Sequence, residues 1–388
     1  MVKKIIFIPF LYYSSDPYFT LLAGELRKDY ECYYVDSKES ILNKFNIRKP
    51  GDLEILRTHF KDVIELTDNI DIGGSNIFYK SFKFHRHFQK LKKIIKNISP
   101  DLIVLSTDGT LTARYISRMH SPFPVIILQS TFINFYTKGK NTNKNFIKKL
   151  ILKLIDPLTY PYTSNYNLFG LTIKKAHLFL WGESTACKYK TLKDDKYIHI
   201  TGNPLITKEN LRTNQLPRKI LILIGHEQTH MEQSEHYQDI KKIIDNFPKY
   251  QFLIRNHPIY KNDPHFFKIF KNGGNCIIDN HYKNTNELIL ENDLIITGFS
   301  CSSIEALFQG KHVLHLRRHF DDCLDYWFKN APITHFKNGE EVINYLKIHD
   351  WNTNISNNND VKIYIDWIWN KTGKDSLNQI TQNIKDIV

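Results

Sequence analysis

The chain has 388 residues, of which 41% are hydrophobic and 24% charged, and a formal net charge of +13. That length suits two cores rather than one, and that balance belongs to a soluble globular protein, not a disordered one. No stretch approaches the roughly 20 apolar residues that span a bilayer. The five cysteines (Cys32, Cys187, Cys276, Cys301, Cys323) have no paired spacing, which argues against disulfides and predicts a reducing, cytoplasmic location.

The basic balance suits nucleic acid, an anionic membrane face or a phosphorylated substrate, and a Lys-, Asn- and Ile-rich composition bias would also produce it. No zinc knuckle, aromatic RNA-binding motif or helix-turn-helix pattern is present, so no nucleic-acid partner is expected.

Short apolar runs alternate with helical periodicity, the pattern of parallel α/β architecture. The opening run from Lys3 reads as a buried first strand over 3–10, since Pro9 interrupts it and no small-residue cleavage site follows. Further strands are predicted over 30–35, 101–106, 125–129, 177–181 and 197–200, with a lysine-rich helix over 82–97. A polar stretch between Pro204 and Pro217 breaks the pattern. It restarts with strands over 219–225, 251–255, 276–278, 294–297 and 312–316, helices over 237–246 and 284–291, and a pair of helices over 361–388. The expectation is two Rossmann-like domains, 1–205 and 218–388, joined by a linker over 206–217, with an interdomain cleft.

Two strand ends carry most of the chemistry. Arg255-Asn256-His257-Pro258 closes one strand; Pro258 holds the preceding backbone extended, and Arg255 and His257 offer a cation and an imidazole to a phosphate. Thr297-Gly298-Phe299-Ser300-Cys301-Ser302-Ser303 closes another strand and opens a helix. Its glycine, hydroxyls and helix start make an anion site at the end of a parallel strand. N-capping alone explains one serine but not the run of Ser300, Ser302 and Ser303. Glu305, one turn in, is positioned to accept from ribose hydroxyls. Asp108-Gly109 follows a first-domain strand, and Asp108 is the candidate general base; an ordinary Asp-Gly turn is the alternative.

His226-Glu227-Gln228-Thr229-His230 matches the zinc-protease pattern H-E-x-x-H, with His236 beyond. That chemistry needs both histidines on one continuous helix. Gly225 ends a strand directly before His226, and Gln233 stands where the extended pattern wants glycine. The same loop instead offers His226 or Glu227 to donor phosphates. The segment from Lys144 to Ile155 gathers lysines on one side of an apolar helix, suited to an anionic membrane surface or to an ordinary half-buried position.

Together these motifs resemble a group of bacterial GT-B transferases of surface polysaccharides: polysialyltransferases and other sialyltransferases, Kdo transferases, and CDP-glycerol glycerophosphotransferases. His257-Pro258 looks like their His-Pro motif and Ser302-Ser303 like their serine motif, both of which hold the donor phosphate. Thr107-Asp108-Gly109 is similar to the sialyltransferase motif that carries the base, departing from it at Thr107. Trp181-Gly182-Glu183 and Thr201-Gly202-Asn203-Pro204 look like segments that close the first domain in related epimerase-like and capsule proteins. Gln129-Ser130-Thr131 departs from the Gln-His-Gly found in many of those.

The resemblance implies a GT-B-like fold and transfer of a sugar from a nucleotide-activated donor, CMP-linked as with Kdo or a sialic acid. The acceptor would be a glycan or lipid-linked glycan of a capsule or lipopolysaccharide, reached at the inner face of the membrane. No cofactor and no metal are expected, because no acidic pair has cation-binding spacing. A CDP-glycerol-type glycerophosphotransferase, a UDP-GlcNAc 2-epimerase-like enzyme and a zinc protease are the alternatives.

Overall fold

The structure is a computed structural model that describes residues 2–10, 12–37, 39–40, 51–66, 70–71, 77–108, 110–119, 123–130, 169–171, 173–207, 218–225, 230–257, 260, 262–271, 273–279, 284–298, 300–317, 326–328, 330–349 and 359–388. The chain divides into two compact units, Met1–Leu205 with Ile368–Val388 and Ile206–Trp367.

In the first unit the elements run β1 (Lys3–Ile8), α1 (Tyr12–Leu26), β2 (Tyr30–Asp36), β3 (Glu39–Ser40), α2 (Asp52–His59), β4 (Asp62–Glu65), β5 (Ile70–Asp71) and α3 (Ile77–Ile98). They continue with β6 (Leu102–Leu105), α4 (Leu111–Arg118), β7 (Val125–Leu128), β8 (His177–Leu180), α5 (Glu183–Tyr189) and β9 (Ile198–Ile200). Seven strands form one parallel sheet in the order β4-β2-β1-β6-β7-β8-β9, and β3 pairs with β5 apart from it. Ile5, Ile6 and Phe7 are all fully buried, so successive side chains of β1 enter cores on both faces. This is why the strand reads as an unbroken apolar run rather than an alternating one.

β1 stops at Ile8 rather than at residue 10, because Pro9 has no N–H for the ladder; the Phe10 N–H turns to Ser106 Oγ at 2.9 Å. Tyr197 closes a short 3₁₀ turn and leaves β9 only three residues. The lysine-rich helix is longer than its periodicity suggests, 77–98 rather than 82–97. α1 is not foreseen at all: Pro17 lies inside it, and its ends carry no acidic or basic signal.

The second unit runs β10 (Lys219–Leu223), α6 (His230–Asn246), β11 (Gln251–Arg255), α7 (Pro264–Ile269), β12 (Cys276–Ile278), α8 (Thr285–Glu291) and β13 (Leu294–Thr297). Then come α9 (Cys301–Phe308), β14 (His312–Leu316), β15 (Thr334–Phe336), α10 (Gly339–Ile348) and α11 (Asn359–Ile368). The sheet order is β12-β11-β10-β13-β14-β15, all parallel. Its core joins Ile220, Ile222, Leu294, Ile296 and Leu314 to Tyr237, Ile240 and Ile244 of α6 and to Val342, Ile343 and Leu346 of α10. Both large sheets share one plan, in which the order reverses between the first strand and the fourth in the sheet's sequence. The same contact joins the two strands at the reversal in each unit. Asp101 Oδ2 accepts the Lys4 N–H at 2.8 Å, and Asp293 Oδ2 accepts those of Arg218 and Lys219 at 2.9 and 3.0 Å.

The last helix, α12 (Gly373–Ile387), belongs to the first unit, not to the second where chain order would leave it. Leu377, Ile380 and Ile384, spaced to share one helix face, are buried in a core with Ile5, Phe7, Phe19 and Leu22. The returning segment docks on the two motifs that close the first unit. The Asn370 N–H donates to the Trp181 carbonyl at 3.1 Å, and the Trp181 and Trp369 rings meet edge-to-face at 6.3 Å. The Asn203 N–H donates to the Lys371 carbonyl at 2.9 Å. Gly202 makes this approach possible: its φ is +83°, and a Cβ there would lie 2.1 Å from the Lys371 carbonyl oxygen.

Candidate functional site

The second unit brings its chemistry to the carboxyl end of its sheet, where β10 and β13 diverge. Ligands of open α/β sheets bind at such a reversal point. Gly225 follows β10 and Gly298 follows β13, and a Cβ on either would lie 3.6 Å from the other's Cα. The two loops therefore pass almost backbone to backbone, leaving the start of α9 uncovered by side chains from these positions.

At that start, Ser300 is the N-cap, its Oγ accepting the Ser302 N–H at 3.2 Å. The buried Ser303 hydroxyl donates to the Ser300 carbonyl. Two of the three serines are thus spent on the turn itself. The Ser302 hydroxyl, partly exposed, has no partner among the described residues. Glu305 is partly buried, its carboxyl also without a hydrogen-bond partner among the described residues, and burial pushes its pKa up to about 7. An acid one helical turn beyond an anion site, held near neutrality, is poised to accept hydrogen bonds once ionised.

The Arg255-Asn256-His257 end of β11 divides its roles differently from the sequence expectation. Arg255 is buried, and its Nε donates to Asp279 Oδ2 at 2.7 Å while one terminal nitrogen lies 2.6 Å from the same oxygen. The other terminal nitrogen donates to Thr285 Oγ1 at 2.9 Å. Its guanidinium ties β11 to the end of β12 and the start of α8, so its charge is shared with Asp279. Sequence cannot reveal this, because the partners lie 24 and 30 positions away.

Asn256, passed over in the sequence, sets the turn: its Oδ1 accepts the His257 N–H at 2.9 Å and its Nδ2 donates to the Tyr260 carbonyl at 2.8 Å. The Tyr237 hydroxyl braces the same amide at 3.3 Å and donates to Asp263, the cap of α7, at 3.0 Å. His257 stands half-buried at this end, its carbonyl accepting the Tyr260 N–H at 2.8 Å. Arg317, also passed over, is buried one residue beyond β14 and close enough to His315 to help lower its pKa, which burial and His335 already depress. Pro258, Phe299 and the His226–Thr229 stretch, including Glu227, lie outside the described residues, as does the Lys144 to Ile155 segment. The described helix α6 begins at His230, and His236 is buried within it. Among the described residues no group of three metal-ligating side chains occurs.

In the first unit Asp108 follows β6 beside the corresponding reversal, between β1 and β6. Its side chain is fully buried and its Oδ1 accepts the Gly170 N–H at 2.7 Å. Lys193 holds the same loop from the other side, donating to the carbonyls of Gly170, Ile173 and Lys174 at 3.4, 3.2 and 2.8 Å. Burial brings Lys193 down to about 8, while Asp108 and Asp194 pull the other way. Burial raises the Tyr189 phenol, and Asp108 adds to it. The expected base is thus closed from solvent and committed to a loop contact.

No family model and no curated protein matches the sequence. Solved structures do match. The glycosyltransferase of kitacinnamycin superposes over 100% of both chains with a TM-score of 0.60 at 10% identity. MnaA of S. aureus, solved with UDP, covers 100% of this chain and 98% of its own with a TM-score of 0.59 at 16% identity. The UDP-GlcNAc 2-epimerase of Neisseria meningitidis, bound to UDP-GlcNAc, covers 99% of each chain with a TM-score of 0.58 at 12% identity. At these identities the likeness is one of fold, and it identifies the chain as two parallel-sheet α/β domains of the GT-B type.

Proposed function

We propose that this protein is a glycosyltransferase that takes a sugar from a nucleotide-activated donor. The observation that carries the reading is the start of α9, with Ser302 and Glu305 behind the close approach of Gly225 and Gly298. Backbone N–H groups and the helix dipole at α9 meet the donor phosphate, with the Ser302 hydroxyl and His257 adding hydrogen bonds. As the sugar departs, negative charge grows on that phosphate, and donors already aimed at it stabilise the transition state most. Ionised Glu305 accepts from the ribose hydroxyls. Arg255 holds the Asn256–His257 turn in place through Asp279.

The acceptor hydroxyl loses its proton to Asp108 in this scheme, which requires the loop at Gly170 to open, since the carboxylate is fully buried and its Oδ1 accepts the Gly170 N–H. The resemblance of the motifs supports a CMP-linked donor such as Kdo or a sialic acid, and a capsule or lipopolysaccharide glycan as acceptor. Transfer proceeds without a metal or cofactor, and the enzyme works in the cytoplasm. Among the described residues no helix is long and apolar enough to cross a membrane.

A second reading, a nucleotide-sugar 2-epimerase, is favoured by one observation: several structures of matching fold are UDP-GlcNAc 2-epimerases. A thermal-shift panel of CMP, CDP, UDP and GDP tests the site, because a ligand bound only to the folded state raises its stability. One nucleotide is expected to stabilise the wild type selectively and to lose most of that effect in His257→Ala. Failure of all four to stabilise the protein would sink both readings. Incubation with the matching nucleotide-sugar separates them, since nucleotide release only with acceptor marks a transferase and an isomerised sugar without acceptor marks an epimerase.

A further inference from the structure

We propose that the outer face of α3 is a docking surface for an anionic lipid bilayer. The helix carries seven Lys or Arg residues and no Asp or Glu along its length. Over residues 85–98, Phe88, Leu91, Ile95 and Ile98 are buried, which fixes the orientation of the helix on its own unit. The opposite arc exposes His85, Arg86, Gln89, Lys92, Lys93 and Lys96, with Lys90 half-exposed at its margin. At a rise of 1.5 Å per residue, Arg86 to Lys96 spans about 15 Å.

A lysine-rich composition would enrich every surface alike, and it does not account for the local absence of acid. α1 carries Asp16 and Glu25, α6 carries Glu232, Glu235, Asp239 and Asp245, and α12 carries Asp375 and Asp386. Lysines outside α3 that have carboxylate partners, such as Lys190 with Glu183 and Lys385 with Asp29, spend their charge locally. Lys92, Lys93 and Lys96 have no ion-pair partner among the described residues. Their charge therefore projects outward undivided, and a negatively charged membrane leaflet is its complement. Of the exposed side chains over residues 85–97, His85 is the one aromatic ring and none is aliphatic, Ile94 being half-exposed. With so little exposed apolar surface, the arc predicts adsorption to headgroups rather than insertion.

The inference is independent of the transferase reading. Co-sedimentation of the full chain with phosphatidylcholine vesicles, with and without phosphatidylglycerol, tests it. Binding is expected only to the phosphatidylglycerol vesicles and should weaken as salt is raised. Replacing three lysines together, Lys92→Gln, Lys93→Gln and Lys96→Gln, should lower the vesicle partition coefficient about a hundredfold, at roughly fivefold per lysine. An unchanged melting temperature shows that the variant is folded. Equal binding by that variant, equal binding to neutral vesicles, or binding to duplex DNA with none to either vesicle would each overturn the proposal.

Discussion

Glu305 has a carboxyl that burial pushes up to about 7, near the working pH of most enzymes. The folded-state pKa lies above the unfolded one, so this group favours folding fully below about 4.5 and loses that advantage as pH rises through about 7. Its ionised form therefore costs stability at pH 8, and a bound ribose would offset the cost. Glu305→Gln is accordingly expected to raise unfolding stability at pH 8 by up to about 2 kcal/mol, discounted for partial exposure. The same change should weaken nucleotide affinity and remove its rise between pH 6 and pH 8. Urea melts and titrations at the two pH values check both, and a nucleotide affinity that stays pH-dependent in the variant would remove Glu305 from the site.

At the same scale, the strand-end positions of His257 and the serine run are legible in the sequence because each lies beside a local marker, a proline or a glycine. The ion pair of Arg255 is not legible there, since its partner, Asp279, sits after a different strand. Asn256 and Arg317 go unseen because nothing local distinguishes a polar strand-end residue that braces a turn from one facing solvent.

Among elements, the segment around Thr201-Gly202-Asn203 shows how a motif changes meaning once its neighbours are known. It reads as the close of the first domain, and in the structure it is the seat for the returning chain at Lys371. Gly202→Ala must strain a positive φ and push against a backbone carbonyl, so a loss of about 3 kcal/mol is expected. The urea midpoint of the first unit measures it, and a change below about 1 kcal/mol would mean that the docking is looser than the geometry implies. Buried strands are legible because apolar runs on doubly covered strands have no solvent face. α1 and β4 are not, for Pro17 interrupts one and the other is a half-exposed edge strand.

Across the whole molecule, acid should be the weak direction. His177 and His199 share a hydrogen bond at 2.9 Å, and burial brings His177 down to about 4 and lowers His199 too. In the second unit fully buried His315 lies far below its ordinary value, beside His335 at 3.2 Å. An imidazole kept neutral in the fold contributes stability above its unfolded pKa of about 6.5, and that stability is lost as pH falls below it. Glu305 pulls the other way between 7 and 4.5, but three imidazoles outweigh one carboxyl. The melting temperature is expected to fall between pH 6.5 and pH 4, and His177→Phe with His199→Leu should flatten part of that slope. A melting temperature level across this range would contradict the burial of these rings.

The sequence by itself determined the two parallel α/β sheets, the polar break between them, and the strand ends at which His257 and the serine run stand. Each of these is encoded in neighbouring residues, as an apolar run, a glycine or a hydroxyl. Only the tertiary structure decided that the last helix completes the first core, that Arg255 pairs with Asp279, that two of three serines serve the turn, and that Asp108 is buried against Gly170. Those outcomes depend on side chains far apart in sequence competing for the same hydrogen bonds and the same buried space, and no local pattern records which of them wins.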